Sequence, residues 1–297
     1  MNAQEVEELV KSVRVLGKPL RGGQKLVFPC EINGKVNALK LISIPINDSC
    51  LDEVNLNTPN TSEILSRIQR EVNILKECYS PYIIKMGELD VVKTEVDGKP
   101  ILYFSEEWID GNDLKVIIGR GRIPHNEVLI LCLHMVNAIE ELWNHKKIHR
   151  DIKPGNIMYD SKRESYILLD MGFAFDAEDL SLTSYGLIPG TLPYLSPDQL
   201  DYENKRKLDF RSDIFSLGVV AYEAITGTHP FWNRGETKDQ IRNKILNYNP
   251  VHPSEMYEEI PRDVGDTILR MMSKNPHRRY RKCNFLTEEL NDLLEGE

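Results

Sequence analysis

One change of pattern, at Asp110-Gly111, constrains the fold of this 297-residue chain more than any other feature. Before it, apolar residues come in short β-type stretches broken by turns. LVFPCEI and VNALKLISI flank Asn33-Gly34, a pair suited to a tight hairpin turn. The segment from Ile44 to Ser62 is polar, holds two prolines and lacks periodicity, so it reads as a long loop. Ile64, Leu65, Ile68, Val72 and Leu75 then recur at helical spacing and predict one amphipathic helix. IIKMGELDVVK and ILYFSEEW predict two more strands around a turn at Asp97-Gly98. The expectation is a small antiparallel sheet with one key helix.

After Asp110-Gly111 the periodicity becomes helical. Glu127–Leu142, Asp213–Thr226, Val264–Met272 and Thr287–Leu294 each read as helices. Between the first two lies a stretch punctuated by Gly and Pro, Ile148–Pro197, and functional residues favour such loops held between rigid elements. The predicted fold class is α+β in two lobes, without internal repeats.

Charge and cysteine usage narrow the function classes. Thirty-seven basic against 46 acidic side chains give a net charge of −9, the wrong sign for a nucleic-acid binder that works by neutralising phosphates. The longest apolar runs, such as Val128–Leu133 and Leu217–Tyr222, are too short to span a bilayer, so no membrane partner is expected. MNAQEVEELV has neither a basic n-region nor an apolar h-region, and no further segment is expected after residue 297. Cys30, Cys50, Cys78, Cys132 and Cys283 are scattered and form no C-x-x-C pair, which fits reduced thiols in a cytoplasm.

The chemistry concentrates in His149-Arg150-Asp151-Ile152-Lys153-Pro154-Gly155-Asn156. A carboxylate, an ammonium and a carboxamide within six residues of turn-forming sequence can orient a hydroxyl, neutralise a transferring phosphoryl group and ligate Mg²⁺. Asp151 alone also reads as a turn or capping aspartate. Asp170 follows at the end of an apolar strand, before Met171-Gly172, and supplies the second oxygen ligand that Mg²⁺ requires.

With these residues the chain resembles the eukaryotic-like (Hanks-type) serine/threonine protein kinase family over nearly its whole length. HRDxKxxN is matched at each fixed position, and D-F-G is matched as Asp170-Met171-Gly172. Gly-Gly-Gln at residues 22–24 and Leu-Ser-Pro-Asp-Gln at residues 195–199 look more like bacterial or archaeal members. The resemblance implies the two-lobed protein kinase fold. Residues 1–12 are then an N-terminal extension, 13–107 the N-lobe, and 108–297 the hinge and C-lobe, with 13–297 one kinase domain.

The resemblance also implies roles. Lys40, in Val36-Asn37-Ala38-Leu39-Lys40, binds the ATP phosphates, and Glu71 on the following helix pairs with it. A lone lysine there is otherwise a solvated charge. The glycine-rich loop falls on Leu20 to Val27, where Gly22 keeps the middle glycine with Gly23 beside it, while Leu20 and Lys25 replace the outer two. A plain Gly-Gly turn is the alternative. Val27 and Ala38 form the ceiling of the adenine slot and Met158 its floor. Glu107 and Ile109 offer backbone groups to adenine, and Asp113 meets the ribose. Glu106 guards the back of the slot, and no partner for its carboxylate is apparent. Leu75, Met86, His149 and Met171 are expected to form an apolar spine, Asp198 to pair with Arg279, and Asp213 to hold the catalytic-loop backbone.

The implied function is ATP- and Mg²⁺-dependent phosphorylation of Ser/Thr hydroxyls on protein substrates, the chain itself included. Asp151 is the catalytic base, Lys153 and Lys40 neutralise charge, and Asn156 and Asp170 hold Mg²⁺. Lys153 and Thr191 in Gly190-Thr191-Leu192-Pro193-Tyr194 favour Ser/Thr over Tyr acceptors. Ser181, Thr183, Ser184 and Tyr185 are candidate phosphoacceptors, Thr183 first, with Arg150 as partner for the phosphate. The alternatives are a pseudokinase or nucleotide-binding scaffold, suggested by the degraded glycine loop, and a small-molecule kinase of the same fold.

Overall fold

The structure, a computed structural model, describes residues 1–22, 25–43, 61–171, 175–176, 191–201 and 208–296. Its backbone divides into two compact units, Met1–Glu77 with Ile84–Ile109, and Cys78–Ile83 with Asp110–Glu297.

The first unit is built on an antiparallel sheet. Its strands are β1 (Val13–Val15), β2 (Leu20–Gly22), β3 (Lys25–Ile32), β4 (Lys35–Ser43), β5 (Val92–Val96) and β6 (Lys99–Glu107). They run in the order β1-β3-β4-β6-β5, with β2 paired to β3. Asn33 and Gly34 have φ of 51° and 77°, and Asp97 and Gly98 have 51° and 74°. Two consecutive positive φ values match the right-handed twist of the flanking strands, which is why both dipeptides close hairpins.

Alternation along the strands gives the sheet two distinct faces. Val27 lies opposite Lys40, and Glu106 opposite Ala38, so these side chains share one face with Leu20 and Phe104. The helix α2 (Thr61–Glu77) supplies Glu71 to that face. Phe28, Cys30, Leu39 and Leu41 point the other way, where they are buried with Val6 and Val10. Val6 belongs to α1 (Ala3–Leu9) and Val10 is its C-cap. This short helix is started by a reciprocal capping box between Asn2 and Glu5.

The expected strand over IIKMGELDVVK is realised only at Val92–Val96. Residues 84–91 instead follow β6 irregularly, through Gly87 N–H to Ser105 O and Ser105 N–H to Leu89 O. The Asn37 Oδ1 accepts from Glu88 N–H and the Ser105 Oγ from Leu89 N–H, replacing ladder partners. A Cβ at position 87 would fall 2.2 Å from Asn37 Oδ1, so only glycine fits there.

The second unit is mostly helical: α3 (Leu114–Ile118), α4 (His125–Asn144), α5 (Pro197–Leu200), α6 (Arg211–Thr226), α7 (Lys238–Asn247), α8 (Pro253–Met256), α9 (Arg262–Met271) and α10 (Cys283–Glu295). The four helices expected from periodicity are α4, α6, α9 and α10. Helix α7, started by a capping box between Thr237 and Gln240, is additional. Helix α6 is buried almost throughout and packs on α4 and α9. Gly218 permits the α9 approach, since a Cβ there would meet Met271 and Met272 inside 3.0 Å. Short strands β7 (Gly111–Asp113), β8 (Lys147–Ile148), β9 (Ile157–Asp160), β10 (Ser165–Leu168) and β11 (Phe175–Asp176) frame the loop that follows α4. None of the described helices is long and apolar enough to cross a membrane.

Candidate active site

In the first unit four charged groups meet on one sheet face. Lys40 Nζ lies 2.8 Å from Glu71 Oε1 and 2.5 Å from Glu106 Oε1, and Glu71 Oε2 lies 3.2 Å from Lys25 Nζ. Lys40, Glu71 and Glu106 are all buried. The two ammonium groups offset negative charge on the two carboxylates, which eases their burial. Burial pushes the Glu106 carboxyl up to about 7, with the negative charge of Glu71 adding to the shift and Lys40 opposing it. The missing partner of Glu106 is therefore Lys40, across the β4–β6 pairing.

The other residues assigned to nucleotide binding are placed as follows. Val27 and Ala38 are half-buried, Leu20 is exposed, and Gly22 ends β2 opposite Lys25. Gly23 lies outside the described residues. Glu107 donates its N–H to Lys85 O and accepts Lys85 N–H on its carboxylate, and Ile109 is buried. In the second unit Met158 sits opposite Asp113 in the β7–β9 pairing. Asp113 is the N-cap of α3, its Oδ1 accepting Val116 N–H at 2.7 Å. Leu75, His149 and Met171 are buried and Met86 is half-buried.

In the second unit one carboxylate gathers four donors. Asp151 Oδ2 accepts from Lys153 Nζ at 2.6 Å and Asn156 Nδ2 at 2.9 Å. Its Oδ1 accepts from Thr191 N–H at 2.9 Å and Thr191 Oγ1 at 3.0 Å. The Thr191 hydroxyl accepts in turn from Lys153 Nζ at 2.7 Å. Thr191 thus touches both Asp151 and Lys153, a role that its place after Gly190 did not reveal.

The loop itself is held from below. Both oxygens of the buried Asp213 accept backbone N–H groups, from His149 at 2.7 Å and Arg150 at 2.9 Å. Burial raises the Asp213 carboxyl, while these two backbone hydrogen bonds oppose it. His149 accepts Asp151 N–H on Nδ1 and donates from Nε2 to Leu169 O, which fixes a neutral imidazole. It is a packed spacer rather than a base. Asn156 Nδ2 also donates to Asp151 O, and Asn156 O accepts Leu169 N–H, which brings the Asp170 backbone beside Asn156. Asp170 and Arg150 both have left-handed φ, 57° and 68°. Such strain in non-glycine residues is retained where the surroundings over-determine it.

Further along, Arg279 reaches Asp198 through two hydrogen bonds of 2.6 and 3.0 Å. Burial pushes the Asp198 carboxyl up, but Arg279 and the Ser212 hydroxyl outweigh it and hold it below its ordinary value. A groove of about 550 Å³ opens beside Asp151, lined by Lys153, Thr191, Tyr194, Glu223 and Trp232 among others. Gly172, Ser181, Thr183, Ser184 and Tyr185 lie outside the described residues.

The protein kinase domain family matches residues 47–290. The matched stretch takes in Glu71, Glu106, Asp151 and Asp170 and begins after Gly22 and Lys40. The chain is similar to the serine/threonine-protein kinase PknB of Mycobacterium leprae, 30% identical over 233 residues, 78% of this chain and 36% of that protein. PknB of Mycolicibacterium smegmatis is 30% identical over 234 residues, covering 78% and 36%. A probable serine/threonine-protein kinase of Clostridium perfringens is 28% identical over 235 residues, covering 79% and 33%. The chain spans about a third of the length of these curated relatives.

Proposed function

The chain belongs to the protein kinase domain family, and from that premise we propose that it transfers the γ-phosphoryl group of ATP to serine and threonine hydroxyls of protein substrates, its own chain included. The observation that carries this reading is the buried Asp151 carboxylate with Lys153, Asn156 and Thr191 ranged around it. Asp151 receives the proton of the acceptor hydroxyl as its oxygen attacks phosphorus. The Lys153 ammonium, 2.6 Å from that carboxylate, offsets negative charge at the same point.

The donor set suits Mg²⁺. Asn156 Nδ2 is committed to Asp151 O and Oδ2, so the amide oxygen remains as a ligand, and Asp170 adds a carboxylate. Oxygen-only ligation by a few protein groups is the Mg²⁺ preference. Once bound, the ion would offset charge on the ATP phosphates. Lys40, held by Glu71, is assigned to those phosphates as well, with backbone at Gly22 and Gly23 approaching them. Leu20, Val27, Ala38, Glu107, Ile109 and Met158 are assigned to adenine and Asp113 to ribose. Residues 13–107 and 108–297 are taken as the two lobes of one catalytic domain. The groove beside Asp151 supports a peptide substrate, Thr183 and Ser184 are the acceptors assigned on the chain itself, and scattered cysteines without a C-x-x-C pair fit a cytoplasmic setting.

The test is a radiolabelled ATP assay with Ser, Thr and Tyr peptides and the chain itself. Ser and Thr peptides should be labelled and Tyr peptides not. Asp151→Asn should lose about a hundred- to ten-thousand-fold in turnover while still binding ATP. Asp170→Asn should also weaken Mg²⁺-dependent ATP binding. Nucleotide binding without transfer to any protein would leave a scaffold instead.

A further inference from the structure

Three side chains of unlike chemistry, none of them among the hydrogen-bond partners given above for Asp151, converge in the second unit. Cys78 directly follows α2 in the chain and is 2% exposed. Glu141 and His145 stand four residues apart at the end of α4, on one helical face. The Cys78 Sγ, a Glu141 carboxylate oxygen and a His145 ring nitrogen all lie within 4.8 Å of one another. His145 Nε2 is 3.7 Å from Glu141 Oε1, close to the separation of two ligands on a tetrahedral ion with bonds of about 2.0–2.2 Å.

We propose that Cys78, Glu141 and His145 form a binding site for a Zn²⁺-type transition-metal ion, with a water molecule as fourth ligand. The ligand types select the metal. Mg²⁺ and Ca²⁺ take oxygen donors, whereas thiolate and imidazole together suit Zn²⁺ and its neighbours. Charge also closes: one thiolate, one carboxylate and a neutral imidazole offset a divalent ion. On binding, the Cys78 S–H bond breaks, the sulfur electron pair goes to the metal and the proton to solvent.

Two structural details favour a prepared site. Glu141 Oε1 accepts the Tyr79 backbone N–H at 2.8 Å, so the residue next to Cys78 pins the carboxylate that faces it. Hydrogen bonds to ligating carboxylates are a regular feature of metal sites. The Glu141 and His145 side chains are 24% and 36% exposed, which leaves an entry path on the side away from the buried thiol. The i, i+4 spacing of Glu141 in the last turn of α4 and His145 at its C-cap sets two ligands before the third closes the set.

The experiment titrates the full reduced chain with Co²⁺ in excess Mg²⁺ and follows the absorbance. A thiolate-to-cobalt charge-transfer band should saturate at one equivalent and vanish when one equivalent of Zn²⁺ is added. Cys78→Ser should abolish the band, and His145→Ala, at a partly exposed position, should weaken Co²⁺ binding about tenfold or more. Asp170→Asn should leave the band unchanged, because an oxygen-only site gives no thiolate transition; this separates the proposal from the kinase reading. Absence of the band, its persistence in Cys78→Ser, or unchanged affinity in His145→Ala would overturn the site.

Discussion

Glu106 Oε1 lies 2.5 Å from Lys40 Nζ, so this lysine is shared between a strand carboxylate and the helix carboxylate of Glu71 at 2.8 Å. The ammonium is therefore positioned by two elements at once. Glu71 divides its own oxygens between Lys40 and Lys25. Removing one member of such a buried set leaves its partner's charge uncompensated, which costs more than the pair contributes when intact.

The raised Glu106 carboxyl has a consequence for stability. Its value is about 7 in the folded chain against an ordinary 4.5, so between these limits the folded state binds more protons than the unfolded one. Stability contributed by Glu106 is complete below the lower limit and is lost as pH rises through the upper one. The difference in unfolding free energy between wild type and Glu106→Gln should therefore change across that window and be flat above it. Urea unfolding at a series of pH values measures it, and parallel curves for the two proteins would refute the protonation.

Thr191 joins Lys153 to Asp151 through one hydroxyl. Each hydrogen bond to a charged group is worth about 1.5–3 kcal/mol. Thr191→Ala should lower kcat by about ten- to a hundred-fold, whereas Thr191→Ser, which keeps the hydroxyl, should stay within a few-fold of wild type. Equal kcat in wild type and Thr191→Ala would remove Thr191 from the site.

Arg279 is fully buried and spends its donors on Asp198 and on the carbonyls of Ser273, Arg211 and Lys274. A lysine cannot reproduce that fork. Arg279→Met should cost about 3–5 kcal/mol, because it strands the Asp198 charge, and Arg279→Lys, which keeps the charge but loses the fork, should cost less. Adding Asp198→Asn to Arg279→Met should restore part of the loss. Chemical denaturation of wild type, Arg279→Met, Asp198→Asn and the double variant checks this, and additive effects would show that the pair is not coupled.

What the sequence discloses depends on how local the cause is. Asn33-Gly34 and Asp97-Gly98 announce their hairpins because φ > 0 is a property of the dipeptide itself. The Asp151–Lys153–Asn156 cluster is equally visible because its members are nearly contiguous. Lys40 and Glu106 are 66 residues apart, and their meeting depends on the β4–β6 register, which no local signal states. The strand expected over residues 84–91 gave way because Gly87 and the side chains of Asn37 and Ser105 take over the ladder. Nothing in MNAQEVEELV states which sheet face Val6 and Val10 cover.

That covering is the basis of the last prediction. Val6 is fully buried and Val10 nearly so, in one core with Phe28, Ile32 and Leu39. Leu39 and Lys40 are consecutive in β4 and so point to opposite faces, which puts α1 on the side of the sheet away from the Lys40–Glu71 pair. Truncating Val6 to alanine removes two methyl groups from a closed core and should cost about 2 kcal/mol. The expected fall in Tm is about 4–8 °C, with kcat and the KM for ATP unchanged below the transition. Deleting residues 2–10 should go further, exposing Phe28, Ile32 and Leu39 together and making the chain aggregate. Calorimetry of Val6→Ala beside steady-state kinetics separates the two effects. An unchanged Tm would mean that α1 does not cover this core, and a changed KM at full folding would mean that its influence crosses the sheet.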